Sequence, residues 1–289
     1  MRITAVIFSN NDDSSVRRMS GIMSRSKVQQ IIWAVEGDPS TGEFLQKLED
    51  GRNVVVFNSR RLGKAAAYNN VFDLIDGELI CLISSDVVFD PGIFEKVESY
   101  FNDYDLLIPS VKASHSEGPI RKVSDLLWEI RNTELRFLNT SGSVIHGGEF
   151  VAVRKKFLSR IPDVVNEDAL QCICAQQNGA RVIYAGDVVI RNFVPSKLSD
   201  FIAQRRRINY GYIQLKKMGF RPNVLSFMVT EDFVTFASIM KMFVREHKRK
   251  IFLITVLGMI EIFSRILSTT DYISGREHKF WKVISTSKS

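Results

Sequence analysis

The chain has 289 residues, of which 45% are hydrophobic and 25% are charged. These proportions are ordinary for a globular protein and exclude a disordered or low-complexity chain. The net charge is +7, and its positive excess lies in the last third. From Pro195 onward there are 17 Lys and Arg against 7 Asp and Glu. This segment therefore predicts an anionic partner, either a diphosphate or a membrane surface.

Predicted strands and helices alternate along the first two thirds of the chain. The predicted strands are Ile3–Phe8, Val28–Val35, Asn53–Phe57, Leu79–Ile83, Leu106–Ser110, Glu149–Val153 and Arg181–Tyr184. The predicted helices are Phe44–Glu49, Lys64–Ile75, Pro91–Phe101, Ser124–Phe137, Glu167–Asn178 and Leu198–Lys217. This rhythm indicates βαβ units, and therefore an α/β fold with a mainly parallel sheet flanked by helices.

The composition changes after the last of these helices, and we place the boundary of the core domain near Gly219. Residues 1–219 are predicted as the α/β domain, and residues 220–289 as a C-terminal helical appendage. The appendage contains two apolar stretches, Val224–Val244 and Ile251–Leu267, with the basic run 245–250 between them.

Both apolar stretches carry acidic residues, which are costly at bilayer depth. We therefore expect helices that lie on a membrane surface or pack on the core, with Lys248, Arg249 and Lys250 toward anionic headgroups. A single span at Ile251–Leu267 is the alternative. If the helices lie on a membrane, removal of residues 224–289 should release a soluble core, provided that the core does not need them for packing.

The three cysteines, Cys81, Cys172 and Cys174, form neither a metal motif nor an even disulfide set, and reduced thiols indicate the cytosol. The apolar segment Ile3–Phe8 is too short for a signal peptide. The chain is therefore expected to be cytoplasmic and peripheral on the cytoplasmic face of the membrane.

A run of motifs lies around the fourth predicted strand. Gly63 and Lys64 open a helix that also contains Asn69, and the apolar strand Leu79–Ile83 follows and stops just before Asp86. Open α/β sheets bind ligands at the carboxyl ends of their strands, which is where Asp86 is expected.

These motifs resemble family 2 glycosyltransferases, whose common pattern is G-K-x-x-A-x-N followed by a buried strand that ends in D-x-D. The resemblance continues at Asn166-Glu167-Asp168 and at Gln204-Arg205-Arg206-Arg207, so that four motifs stand in family order over about the first 210 residues. It implies a GT-A-like fold and inverting transfer of a hexose from a nucleoside diphosphate sugar.

The resemblance assigns nucleotide-sugar binding to polar residues on several predicted loops. They are Ser9, Asn10, Glu36, Lys64, Asn69, Ser84, Ser85, Asp86 and Gly148. Glu36 is the nearest match to the acidic residue that hydrogen-bonds the base, with Asp38 as the competing choice. A Lys64 ammonium at a helix start suits an anion or a polar base edge.

The family usually has two carboxylates where this chain has Ser84-Ser85-Asp86. Only Asp86 remains, and a serine is a poor replacement for an anionic ligand. Mg²⁺ or Mn²⁺ held by Asp86, diphosphate oxygens and water is still expected, because Mg²⁺ often takes only one or two protein carboxylates. The alternative for Asp86 is a capping residue of the next turn.

Glu167 and Asp168 open a helix and match the family's acidic pair. The resemblance implies that Asp168 is the general base for the acceptor hydroxyl, with attack opposite the departing diphosphate and inversion at the anomeric carbon. Carboxylates at a helix start are also ordinary capping residues, which is the alternative for this pair.

The basic segment Gln204, Arg205, Arg206 and Arg207 resembles a Q-x-x-R-W motif, and guanidinium groups suit diphosphate oxygens. Ile208 replaces the Trp on which a growing glycan rests, which argues against processive synthesis.

The predicted acceptor is a glycan or a lipid-linked molecule. Three alternatives are a polyprenyl-phosphate glycosyltransferase, whose anionic acceptor needs no base, a noncatalytic nucleotide-sugar binding protein, and a basic membrane or nucleic-acid adaptor. Nucleic acid is disfavoured because aromatic residues do not alternate with the basic ones.

Overall fold

The computed structural model describes residues 1–114 and 120–278, and it contains an eight-stranded sheet. The predicted appendage 220–289 therefore includes eleven residues, 279–289, that lie outside the described part. The strands are β1 Ile3–Asn10, β2 Gln30–Glu36, β3 Asn53–Asn58, β4 Leu79–Ser84, β5 Val87–Val88, β6 Leu106–Ala113, β7 Phe150–Arg154 and β8 Val182–Asn192. Their order across the sheet is β3-β2-β1-β4-β7-β6-β8-β5.

Parallel pairing dominates the sheet, which confirms the predicted α/β class with a mainly parallel sheet. Strands β3, β2, β1 and β4 are parallel to one another, and β6 is parallel to β8. Strand β7 runs antiparallel to both β4 and β6, and the short β5 runs antiparallel to β8. The reversed β7 brings the loop before it to the carboxyl end of β4.

The described helices flank the sheet and continue beyond it. They are α1 Asp13–Met23, α2 Pro39–Gln46, α3 Lys64–Val71, α4 Ile93–Tyr100, α5 Arg121–Thr140, α6 Glu167–Gln177, α7 Leu198–Lys217, α8 Leu225–Glu231, α9 Phe233–Glu246 and α10 Ile251–Ile273. The apolar stretch Val224–Val244 is two helices, because the Asp232 side chain accepts a 3.1 Å hydrogen bond from the Thr235 amide and caps α9.

The sheet separates two hydrophobic cores, because successive residues of a strand face opposite sides. In β1, Val6 belongs to one core and Ile7 to the other, and Ile80 and Cys81 divide in the same way in β4. This double burial explains the unbroken apolar runs of the central strands. All three cysteines carry free thiols.

The C-terminal helices pack on the α/β part through ion pairs as well as apolar contacts. Arg205 of α7 donates to Glu261 of α10 at 2.5 and 3.2 Å, and Arg206 donates twice to Asp271 at 2.5 Å. Because these partners lie beyond residue 224, truncation there would remove both carboxylates. The release of a soluble core by this truncation therefore depends on whether the α/β part tolerates the loss of these contacts.

We expect Asp271→Asn to lower the free energy of unfolding by about 2 kcal/mol, since Arg206 would remain half-buried without its anionic partner. The measurement is urea unfolding of the full-length protein. Glu231→Gln is the control, because it breaks an exposed ion pair between Lys216 on the same helix α7 and Glu231 of α8, and should cost less than about 1 kcal/mol. Equal effects of the two substitutions would contradict the prediction.

Candidate functional site

The carboxyl ends of β1, β2 and β4 meet at one edge of the sheet. Asn10 pairs with Glu36 and Phe8 pairs with Ser84 in the parallel ladders. A cavity of about 980 Å³ opens at this edge. The predicted site residues that line it are Ser9, Asn10, Glu36, Lys64, Ser84, Ser85, Asp86, Gly148, Glu167, Asp168, Gln204, Arg205 and Arg207.

Glu36 and Asp38, the two choices after β2, have different surroundings. The Glu36 carboxylate is buried at the cavity wall and accepts hydrogen bonds from the Leu62 and Gly63 amides at 3.1 and 3.3 Å. Asp38 instead caps α2 by accepting from the Ser40 amide at 2.9 Å, and it does not line the cavity. The geometry thus favours Glu36, which also holds the loop before α3 in place.

Lys64 joins the loop before α3 to the start of α6. Its Nζ lies 2.8 Å from Glu167 Oε1 and 3.6 Å from Asp168 Oδ2. Burial alone would lower the pKa of Lys64, but the two carboxylates outweigh burial and raise it. Burial raises the pKa of Glu167, and the Lys64 ammonium opposes that shift. The lysine is therefore a fixed positive charge beside the predicted base.

The Asp168 carboxylate lies against the glycine loop before β7. Its Oδ1 accepts a 2.7 Å hydrogen bond from the Ala169 amide at the start of α6. A Cβ built on Gly148 would lie 3.1 Å from Asp168 Oδ2, closer than nine in ten Cβ contacts. Gly148 thus leaves the space that this carboxylate occupies.

Helix α7 is fastened to the start of α6 at a close contact. The Asn166 amide donates to the Ile208 carbonyl at 3.0 Å, and a Cβ on Gly211 would lie 2.4 Å from Asn166 Cγ. This contact places the buried Arg207 beside α6, where it donates to the Val165 carbonyl at 3.2 Å. Burial lowers the pKa of Arg207 to about 9, against the opposing charges of Glu167 and Asp168.

Two predicted residues, Asn69 and Arg206, do not line the cavity. The Asn69 amide donates to the Ile161 carbonyl at 2.8 Å and accepts from the Ile161 amide at 3.0 Å, so it holds the loop that leads to α6. Arg206 faces α10 and binds Asp271. These placements correct the assignment of Asn69 to the nucleotide sugar and of Arg206 to the diphosphate.

Arg205 also departs from its predicted role, although it lines the cavity. Its guanidinium is committed to Glu261 of α10 by two hydrogen bonds. Burial lowers the pKa of Arg205, and Glu261 more than offsets this and raises it. Of the three consecutive arginines, Arg207 is the one that the fold turns toward α6.

Glu149 is a site residue to which the sequence analysis gave no role. It precedes β7 and stands opposite Ser84, whose amide donates to the Glu149 carbonyl at 2.9 Å. The charges of Asp86 and Asp168 act on its carboxyl group. An acidic residue directly after the Gly147-Gly148 pair was the available signal, but the antiparallel pairing that brings it beside Ser84 was not visible in the sequence.

The carboxylates fit a small divalent cation only in company with a ligand. Within residues 1–114 and 120–278, no group of three or more His, Cys, Asp or Glu side chains could hold a metal ion. Asp86 and Glu149 are two oxygen donors on the same cavity wall, and Mg²⁺ commonly takes one or two carboxylates together with substrate phosphates.

Buried polar atoms on the wall also suggest a polar ligand. Ser9 Oγ, His146 Nε2 and Asn192 Oδ1 are buried and have no hydrogen-bond partner among the described residues. Buried polar groups are rarely left without one, so groups of this kind indicate binding capacity.

The comparisons with known proteins agree with this geometry. A family model described as glycosyltransferase like family 2 matches residues 2–211, while no curated protein matches the chain. The fold resembles mannosyltransferase PcManGT from Pyrobaculum calidifontis in complex with GDP-Man and Mn²⁺, with a TM-score of 0.64, 16% identity, and coverage of 96% of this chain and 88% of that one.

Two further structures share the fold. Glucosyl-3-phosphoglycerate synthase from Mycobacterium tuberculosis, in complex with Mn²⁺, UDP-Glc and phosphoglyceric acid, has a TM-score of 0.53 and 14% identity over 77% of this chain and 81% of that one. Staphylococcus aureus TarS has a TM-score of 0.50 and 12% identity over 98% and 94%.

The sheet and the open cavity at its strand ends have the GT-A fold of these structures, which confirms the predicted GT-A-like fold. The chain belongs to glycosyltransferase like family 2, as the match over residues 2–211 establishes. This confirms the resemblance drawn from the four sequence motifs.

The stability of the protein should depend on pH through Glu149. Burial, followed by the charges of Asp168 and Asp86, raises the pKa of Glu149 to about 7. Such a carboxyl group binds its proton more tightly in the folded state than in the unfolded state. The free energy of unfolding therefore falls as pH rises from the ordinary pKa of a glutamate through 7. Glu149→Gln stays neutral, and should match the wild type near pH 5 but exceed its free energy of unfolding by about 1–2 kcal/mol at pH 9.

Urea unfolding of the ligand-free protein at pH 5, 7 and 9 provides the measurement. Glu43→Gln, on the exposed side of α2, is the control for loss of one carboxylate. A difference between Glu149→Gln and the wild type that stays constant with pH would refute the prediction.

Proposed function

We propose that this glycosyltransferase is inverting and non-processive, and that it moves a sugar from a nucleoside diphosphate sugar to a hydroxyl of a glycan or lipid-linked acceptor. The observation that carries the proposal is the position of Asp168 at the start of α6. From there it faces the same cavity as Ser9, Glu36 and Asp86 at the strand ends. A base on one side and a nucleotide pocket on the other are what direct displacement requires.

The donor's nucleotide would lie across the ends of β1, β2 and β4. Ser9 and Asn10 offer polar groups there, and Glu36 supplies the acceptor atoms expected for a base edge. The neighbouring mannosyltransferase structure contains GDP-Man, which supports a nucleotide sugar in this fold. The side-chain Oδ1 of Asn192 in the same wall is a further acceptor for a ribose or sugar hydroxyl.

Charge neutralisation of the diphosphate would come from two sources. Asp86 and Glu149 would hold Mg²⁺ or Mn²⁺, in keeping with the Mn²⁺ in two structures of the same fold, and such an ion stabilises the negative charge of a leaving diphosphate. Arg207 adds a guanidinium beside the start of α6, where it donates to the Val165 carbonyl. Because burial weakens the hydration of this cation, its attraction for phosphate oxygens is strengthened.

Asp168 would take the proton of the acceptor hydroxyl as its oxygen attacks the anomeric carbon from the side opposite the diphosphate. The bond from that carbon to the diphosphate breaks in the same step, and the configuration inverts. Lys64 and Gly148 position the carboxylate, the first by charge and the second by leaving room. Ile208 lines the cavity where the related motif has Trp, so a growing glycan would lack an aromatic platform.

Membrane association would occur through the C-terminal helices. Among the described residues, α10 is the one helix long and apolar enough to cross a membrane by length and composition. Its Glu261 and Asp271 bind arginines of α7, however, and its outward residues Phe252, Phe263 and Ile273 are 77%, 51% and 80% exposed. We therefore favour a helix that lies on the membrane surface and presents this apolar side to it.

The basic run beside α10 has a mixed role. Lys248 and Arg249 are exposed and suited to anionic headgroups, as expected from the sequence. Lys250 instead binds Glu129 of α5 at 2.5 and 2.7 Å, so its charge is already used within the protein.

We expect Asp168→Asn to lower kcat by about 10² or more with little change in donor affinity. The reason is that an asparagine amide cannot take the proton from the hydroxyl group of the acceptor molecule. Steady-state kinetics with a panel of nucleotide sugars provide the measurement. Asp38→Asn is the control, because it changes a capping residue outside the cavity and asparagine caps helices equally well. Near-normal turnover of folded Asp168→Asn would exclude Asp168 as the general base. It would favour an acceptor molecule whose attacking group is a phosphate, which is already anionic.

Metal binding should require the nucleotide. Calorimetry should show little Mn²⁺ binding to the free protein and clear binding once a nucleoside diphosphate is present, because two carboxylates alone are a weak site. Glu149→Gln should weaken this second binding step by roughly tenfold, whereas Glu43→Gln should not change it. Undiminished Mn²⁺ binding to the Glu149→Gln variant would exclude Glu149 as a metal ligand. Full activity in the presence of a chelator would exclude a metal requirement for the reaction.

A further inference from the structure

The cavity extends well beyond the strand ends that would hold the nucleotide. From Asp168 it continues between α5 and α7 and then along α8, α9 and α10. At about 980 Å³ it lies at the upper end of the usual range for ligand pockets. We call the part lined by α5 and by residues 224–273 the distal groove.

One side of α10 forms the wall of the distal groove. Lining positions recur every three or four residues from Ile254 through Leu257 and Glu261 to Ile273, which is the spacing of one helix face. At 1.5 Å per residue, this wall is about 29 Å long. Such a length suits an extended chain better than a compact sugar.

The groove is mostly apolar, and several of its charged groups already have hydrogen-bond or ion-pair partners within the protein. Leu127 and Trp128 of α5 and Phe236 and Met240 of α9 are among the residues that line it. Its ion pairs are Arg131 with Glu134 at 2.7 Å and Arg205 with Glu261 at 2.5 Å, and the Arg265 guanidinium donates to the Ser226 carbonyl. These groups are therefore not available to hold a polar ligand.

The distal groove opens onto the apolar surface of α10. Ile262, Ile266 and Ile273 line the groove and are 64%, 59% and 80% exposed. They are continuous with Phe252 and Phe263 on the surface that we place against the membrane. A molecule in the bilayer could therefore enter the groove sideways without crossing water.

We propose that the distal groove binds the apolar tail of a membrane lipid that carries the acceptor, with the tail along α10 and the polar head beside Asp168. This assignment rests on the proposed function and names the acceptor class within it. We infer a lipid because the groove is continuous at one end with the part of the cavity that contains Asp168. Along α10 it is also continuous with the exposed apolar surface. Burial of a hydrocarbon chain would supply most of the acceptor's affinity.

Gly258 provides a specific test, because it lines the groove at the middle of α10. A Cβ at this position meets no atom within 4 Å, so a side chain would project into open space. Replacement of a helical glycine also removes a residue of poor helix propensity, and Gly258→Phe should fold. Met259→Phe is the matched control, since Met259 is 59% exposed and does not line the groove.

The experiment measures binding of farnesyl, geranyl and dimethylallyl phosphates to the full-length protein by calorimetry, with inorganic phosphate as the tail-free reference. In the wild type and Met259→Phe, affinity should rise by roughly tenfold or more with each added isoprene unit. In Gly258→Phe, farnesyl phosphate should bind at least about tenfold more weakly. Binding that is independent of chain length, or equal in the Gly258→Phe and Met259→Phe variants, would overturn the assignment.

The same three proteins distinguish this assignment from the proposed function. Nucleoside diphosphate with Mn²⁺ should bind all three equally, because Gly258 lies on the far side of the cavity from the strand ends. Failure of all three to bind nucleoside diphosphate would refute the proposed donor site. Chain-length dependence that persists in that case would still establish the distal groove as a lipid site.

Discussion

The ion pairs of Lys64 with Glu167 and Asp168 connect the two halves of the site. Lys64 begins α3 directly after a loop that Glu36 holds by two amide hydrogen bonds. Its ammonium reaches α6, whose start is fastened to α7 through Asn166. One half-buried cation therefore links the loop at the strand ends to the acidic pair. Removing it would leave two carboxylates close together in a site of low polarity, which is an expensive arrangement.

Helix α7 divides its charges between two neighbours. Arg207 faces the start of α6, whereas Arg205 and Arg206 bind Glu261 and Asp271 of α10. The positive excess of the last third therefore holds the C-terminal helices on the α/β part as much as it attracts anions. The net charge of a segment does not distinguish these uses, because it contains no information on which carboxylates the fold brings near.

Sequence patterns predicted the central strands and most of the polar residues at the strand ends that line the cavity. The predicted strand Leu79–Ile83 matches β4, with the half-buried Asp86 just beyond its end, and α7 has the predicted bounds. What failed depends on long-range contacts. Asn69 hydrogen-bonds Ile161, which lies 92 residues further along the chain. The reversed direction of β7 makes Glu149 a neighbour of Ser84, and this direction is a property of the whole sheet.

The division of the three arginines among different neighbours has a consequence for the evolution of this chain. Each residue of an α-helix is rotated by about 100° from the one before it. An insertion or deletion of a single residue between Leu198 and Gln204 would turn Arg207 away from α6 and misalign the pairs with Glu261 and Asp271 together. Substitutions in this stretch alter one contact at a time, but a change of length alters all of them. The number of residues in α7 should therefore vary less among related chains than their identities do.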